Sequence, residues 1–181
     1  MDLAEHKVSG KTIFNGKIVR LDVDQARLPD GSIATREVVY HPGGVAILAL
    51  DEQNNVSLVR QFRYPFGRMM LEAPAGKLEY GEDHRECAVR ELSEETGFTA
   101  DELIYMGKCC TSPGFSTEVL HIYLALGLHA GESHPDQDEF LNVEKIPLHE
   151  LSHMVMSGEI DDAKTIVAVL KAEKYLAERK K

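Results

Sequence analysis

The chain of 181 residues predicts an α/β fold in which helices cover a mixed sheet. Three observations carry that expectation. Short alternating or continuous apolar runs flank one central helical segment, polar and glycine turns separate those runs, and longer helical patterns close the chain. At 43% hydrophobic and 28% charged residues, the composition is that of one globular domain with a sizeable core.

In order, Val19, Leu21 and Val23 alternate with Arg20, Asp22 and Asp24, the period of a half-buried strand. Pro29, Asp30 and Gly31 in LPDGS then turn the chain into a second strand, SIATREVVYH. GVAILALD and NVSLVRQFR, on either side of the polar turn EQNN, read as the next two. Residues 76–98 read as a loop and a helix stopped by Gly97. Strand-like runs follow at ELIYMGK, EVLHIYLALGL and FLNVEKI. In the last helix Ala163, Ile166, Val167 and Leu170 form an apolar stripe, Asp161 or Asp162 caps its start, and Arg179, Lys180 and Lys181 complement its C-terminal dipole.

A net charge of −10 speaks against a general nucleic-acid binder, which needs a basic footprint. MDLAEHKVSGK lacks the pattern of a signal segment and GVAILAL is too short to span a bilayer, so a cytoplasmic protein without membrane partners is expected. Cys87, Cys109 and Cys110 are odd in number and lack paired metal-ligand spacing, against both a disulfide framework and zinc.

The chemistry concentrates in GKLEYGEDHRECAVRELSEETGF. On a helix, Glu94 and Glu95 share a face with Glu91, so one turn presents three negative charges. Like charges at that spacing cost about 0.2–0.5 kcal/mol per pair, and the nearby helix end also disfavours anions. A positive partner is implied. Oxygen ligands without His or Cys suit Mg²⁺ or Mn²⁺.

The segment resembles the signature of the Nudix hydrolases, which cleave a nucleoside diphosphate linked to another group. It reads Gly76, five residues, Glu82, seven residues, Arg90-Glu91, Leu92, one residue, Glu94-Glu95, one residue, Gly97 and Phe98. Pro113 in TSPGF, sixteen positions beyond Gly97, resembles the ADP-ribose pyrophosphatase branch, as do VRQFRYP, APAGKLE and DQDEF in their order. The resemblance implies the Nudix α/β/α sandwich over residues 41–181. Residues 1–40 would form an extension of antiparallel strands that builds a homodimer.

It also implies roles. Glu91 and Glu95 resemble the principal ligands of a site holding more than one divalent ion, the Ala75 carbonyl completes it, and Glu94 shares the ions or orients a water there. Arg90 would buttress these carboxylates, and Glu82 would hold loop and helix together. Glu139 is the positional match for a general base or a further ligand, with Asp136 and Asp138 beside it. Arg63 matches a substrate-binding arginine, with Arg60 as a second candidate against a surface salt bridge. Glu37, Ser112, Gly114 and Glu118 match positions lining the adenosine or terminal ribose pocket, and Tyr64 and Phe66 could stack on a base or pack. The implied reaction is hydrolysis of ADP-ribose to AMP and ribose 5-phosphate. The alternatives are a broader nucleoside diphosphate sugar hydrolase and, from another class, a non-catalytic regulator that binds ADP-ribose.

Overall fold

A computed structural model of the chain describes residues 2–135 and 140–179. They divide into two compact units, Met1–Gly43 with Cys110–Val119, and Gly44–Cys109 with Leu120–Lys181. The first unit is built on an antiparallel sheet of β1 (His6–Asn15), β2 (Arg20–Arg27) and β3 (Ile33–Tyr40), in that order. The turn between β2 and β3 falls at LPDGS, where the Asp30 carboxylate accepts from the Ser32 amide and hydroxyl at 2.9 and 2.6 Å. β1 has no counterpart among the expected elements. Its presence changes β2, whose period of two is as expected but whose buried side carries Asp22, Asp24 and Ala26 while Leu21 and Val23 are half-buried. The reason lies in β1: Lys7 forms an ion pair with Asp24 at 2.7 Å and Thr12 donates to Asp22 at 2.8 Å, so the strand that covers the acids also supplies them with partners.

In the second unit, β4 (Gly44–Leu50), β5 (Asn55–Arg63), β6 (Arg68–Glu72), β7 (Ala75–Lys77), β8 (Phe98–Cys110), β9 (Val119–Ala130) and β10 (Leu141–Pro147) form one mixed sheet. Its order is β10-β5-β4-β9-β8, with β6 on β5 and β7 on β4. β4 runs parallel to β9 and antiparallel to β5 and β7. Because side chains alternate along a strand, its continuous apolar run feeds both faces. Val45, Ile47 and Ala49 pack with Cys87, Ala88 and Leu92 of α1 (His84–Thr96). Ala46, Leu48 and Leu50 pack with Leu151 and Val155 of α2 (Leu148–Ser157) and Ala168, Val169 and Ala172 of α3 (Ala163–Arg179). This is the α/β/α layering the resemblance implied. Among the described residues no helix is long and apolar enough to cross a membrane.

The last helix differs from the expected stripe. Its buried positions are Thr165, Ala168, Val169 and Ala172, Ile166 and Val167 are half-buried, and Leu170 is exposed. The stripe followed large apolar side chains, whereas the sheet admits small ones and the Thr165 hydroxyl, which donates to Asp162 and accepts from the Ala73 amide at 2.8 Å. Asp162 is the cap, its carboxylate accepting from the Thr165 amide at 3.0 Å.

Candidate active site

Two devices place the central carboxylates. Asp83 starts α1, its carboxylate accepting from the Arg85 amide at 2.8 Å, and Gly97 ends it in the left-handed conformation at φ 72°. Packing of Cys87, Ala88 and Leu92 against β4 and β9 then fixes the helix rotation. Near the end of α1, Glu91 and Glu95 are buried and Glu94 is half-buried.

Arg90 organises the acids. Its Nε and Nη2 donate to the Glu82 carboxylate at 2.9 and 3.1 Å, and its Nη1 donates to Glu91 at 2.7 Å and to Glu94 at 2.9 Å. One guanidinium therefore serves three carboxylates, and its own pKa is raised, chiefly by Glu82. Glu82 also accepts from the Glu79 amide at 2.9 Å, which ties the loop to the helix, and the Arg90 hydrogen bonds pull its pKa down to about 2. Cys87 lies buried beneath with its thiol pushed up to about 12 by burial, so it is held neutral.

β7 supplies the other wall. The Ala75 amide donates to the Glu95 carboxylate at 2.9 Å. A side chain at Gly76 would place its Cβ 1.8 Å from the Glu91 carboxyl, so glycine there makes the cradle in which that carboxylate lies. Carboxylates alone, walled by backbone, are the donor chemistry of a hard divalent cation. Among the described residues no three acid, imidazole or thiol groups already converge into a cation cage. Arg90 takes up Glu91 and Glu94 instead. The residues fit the ion.

Two known domain families match successive stretches of the chain. Residues 40–169 match the NUDIX domain, and residues 5–39 match the nucleoside diphosphate sugar hydrolase N-terminal domain. The chain belongs to the Nudix hydrolase family. Among its relatives, a protein of Bacillus methanolicus named methanol dehydrogenase activator is 41% identical over 91% of this chain and 90% of its own. A Bacillus subtilis protein named ADP-ribose pyrophosphatase is 43% identical over 92% of this chain and 91% of its own. A solved structure titled ADP compounds hydrolase shares the fold, with a TM-score of 0.86 at 19% identity over 99% of this chain and 98% of that one.

The remaining candidates fall in separate places. Arg63, at the end of β5, grips the buried Glu72 carboxylate through Nε and Nη2, both at 2.7 Å. Arg60 pairs with the partly exposed Glu144 of the neighbouring β10 at 2.5 and 3.0 Å, the surface salt bridge weighed against a substrate role. Glu37 is exposed on β3, and Ser112, Gly114 and Glu118 belong to a loop bonded to that strand's end, Val39 donating to the Phe115 carbonyl at 2.7 Å. Within that loop Glu118 accepts from the Thr111 hydroxyl at 2.6 Å. Tyr64 and Phe66 are exposed. Glu139, with Asp136 and Asp138, lies outside the described residues. Sequence reasoning missed Glu72 and its second partner, Lys164; the available signal was a single acid inside the apolar run MMLEAPA.

Proposed function

We propose that this Nudix hydrolase is a divalent-metal-dependent pyrophosphohydrolase that splits ADP-ribose into AMP and ribose 5-phosphate. The observation that carries the reading is the carboxylate cluster of α1, with Glu91 in the Gly76 cradle and Glu95 on the Ala75 amide. The similarity to a relative named ADP-ribose pyrophosphatase supports the substrate.

Glu91, Glu95 and the Ala75 carbonyl would hold Mg²⁺ or Mn²⁺, with Glu94 as a further ligand or the group that orients the attacking water. Such ions, more than one per site, neutralise phosphate charge and lower the pKa of water. Arg90 returns Glu91 and Glu94 to one geometry, and Glu82 fixes Arg90 from the loop side. Arg63 would bind the diphosphate, with Arg60 a weaker candidate because Glu144 occupies it. Glu37, Ser112, Gly114 and Glu118 would recognise the adenosine or terminal ribose.

Glu139 would take the proton from water. In support, the Gly131 amide donates to Gly97 and the His134 amide to the Glu94 carbonyl, at 2.8 and 2.9 Å, which fixes the chain just before residues 136–139 at the carboxylate end of α1. The protein would work as a cytoplasmic homodimer through its N-terminal sheet, where Val8, Ile13 and Phe14 of β1 are exposed on the single chain.

A second reading, a broader nucleoside diphosphate sugar hydrolase acting also on ADP-glucose or GDP-mannose, is favoured by the match of residues 5–39. A phosphate-release screen of these compounds, coupled to a phosphatase and run with Mg²⁺ and with Mn²⁺, tests both. The expected result is the highest kcat/KM for ADP-ribose. Comparable values for several sugars establish the broader enzyme, and tight binding of ADP-ribose without phosphate release overturns both in favour of a regulator.

A further inference from the structure

The guanidinium of Arg63 is held by groups that the Nudix signature does not include. Glu72 ends β6 three residues before Ala75, is 1% exposed, and accepts from both Nε and Nη2 of Arg63. A bidentate grip fixes the plane and direction of a guanidinium and leaves its remaining N–H groups on the opposite edge. From the other side Lys164, in the first turn of α3, bonds the same Glu72 carboxylate and lies 3.0 Å from Asp162, the cap of that helix. Burial alone would raise the Glu72 carboxyl, yet its two cationic partners hold it below the ordinary range, so it stays ionised. Chain connectivity ties this pair to the metal carboxylates: directly after Glu72, the Ala73 amide donates to Thr165 of α3 and the Ala75 amide donates to the Glu95 carboxylate.

We propose that Glu72 and Lys164 are positioning residues for substrate: they lock Arg63 with its open edge toward the diphosphate, so α3 sets phosphate affinity without touching the ligand. A free arginine must lose rotamer freedom on binding; one already gripped has lost it in folding. Lys164 keeps the balance. Without it Glu72 would hold a single cation, and Asp162 would compete for Arg63.

The inference rests on the reading of the chain as an ADP-ribose hydrolase, and calorimetric titration of ADP-ribose in EDTA separates the two. We expect Arg63→Lys, Glu72→Gln and Lys164→Met each to weaken binding about tenfold or more, and Lys164→Arg to restore most of it. The double variant Arg63→Lys/Glu72→Gln should bind no worse than Arg63→Lys alone, because Glu72 acts only through Arg63. A purely structural role would lower thermal stability yet leave that coupling absent. If the two losses multiply, or if Lys164→Met and Glu72→Gln bind like wild type, the proposal is overturned. If Glu72→Gln does not fold, the Lys164 pair decides by the same criterion, coupled to Arg63→Lys. Coupled binding in a chain that releases no phosphate keeps this inference and removes the hydrolase reading. Hydrolysis indifferent to Arg63→Lys does the reverse, and a wild-type chain that does not bind ADP-ribose overturns both.

Discussion

Buried acids occur in both units of the molecule, and they are balanced differently. In the N-terminal sheet Asp22 has Arg20 at 3.2 Å and the Thr12 hydroxyl, and Asp24 has Lys7, so each acid has its own cation from a neighbouring position or strand. On α1 a single guanidinium is divided among Glu82, Glu91 and Glu94, with Glu95 close by. The first arrangement spreads the charge over separate pairs. The second gathers several carboxylates about one shared guanidinium, at the helix end where the dipole opposes anions. The acids of the N-terminal sheet are paired singly, and those of α1 are crowded.

Three substitutions probe that contrast, from the largest effect to the smallest. Glu95→Gln removes a charge with almost no change in volume, and we expect turnover to fall by about 10²–10³-fold or more. Stability without metal should hold or rise by a few tenths of a kcal/mol, as like-charge repulsion is relieved. Steady-state kinetics beside a thermal melt in EDTA check this; a lost fold together with lost activity would make Glu95 a structural acid like Asp24.

Glu82 sits between the two classes, since it is paired to Arg90 yet belongs to the crowded set. Its folded pKa of about 2 lies below the ordinary 4.5, so its stabilisation is complete above the ordinary value and disappears as pH falls toward 2. Melting temperatures of wild type should therefore drop across that window, whereas Glu82→Gln should start lower and show a flatter profile there. Parallel profiles would remove the Arg90 pair as a source of stability.

The smallest change is expected for Asp24→Asn. Lys7 is half exposed, so the pair contributes about 1 kcal/mol or less. Urea midpoints should shift by that amount, and kcat for ADP-ribose should stay within about twofold of wild type. A large loss of turnover would erase the distinction between the two acid groups.

The crowding of carboxylates on α1 was legible because its determinants are local. Glu91, Glu94 and Glu95 share a helix turn by spacing alone, and Gly97 announces the stop that the structure shows at φ 72°. β4 was equally plain, since seven apolar residues in a row mark a strand buried on both sides. What failed depended on distant partners. The alternation in β2 gave the period but not the side, because only β1 reveals that Asp22 and Asp24 are the covered residues. In α3 the phase went to bulky Leu170 rather than to Thr165 and Ala172, because the available space is a property of the sheet. The grip of Glu72 on Arg63 reads as a short-range pair once seen, but Lys164 lies 92 residues away and nothing local points to it.

The most direct measurement is product analysis of ADP-ribose incubated with the wild-type chain and Mg²⁺, followed by the same reaction after chelation. The account predicts AMP and ribose 5-phosphate in equal amounts, with cleavage abolished by EDTA and restored by added Mg²⁺ or Mn²⁺. Intact ADP-ribose after prolonged incubation, or cleavage that continues undiminished in EDTA, would contradict it.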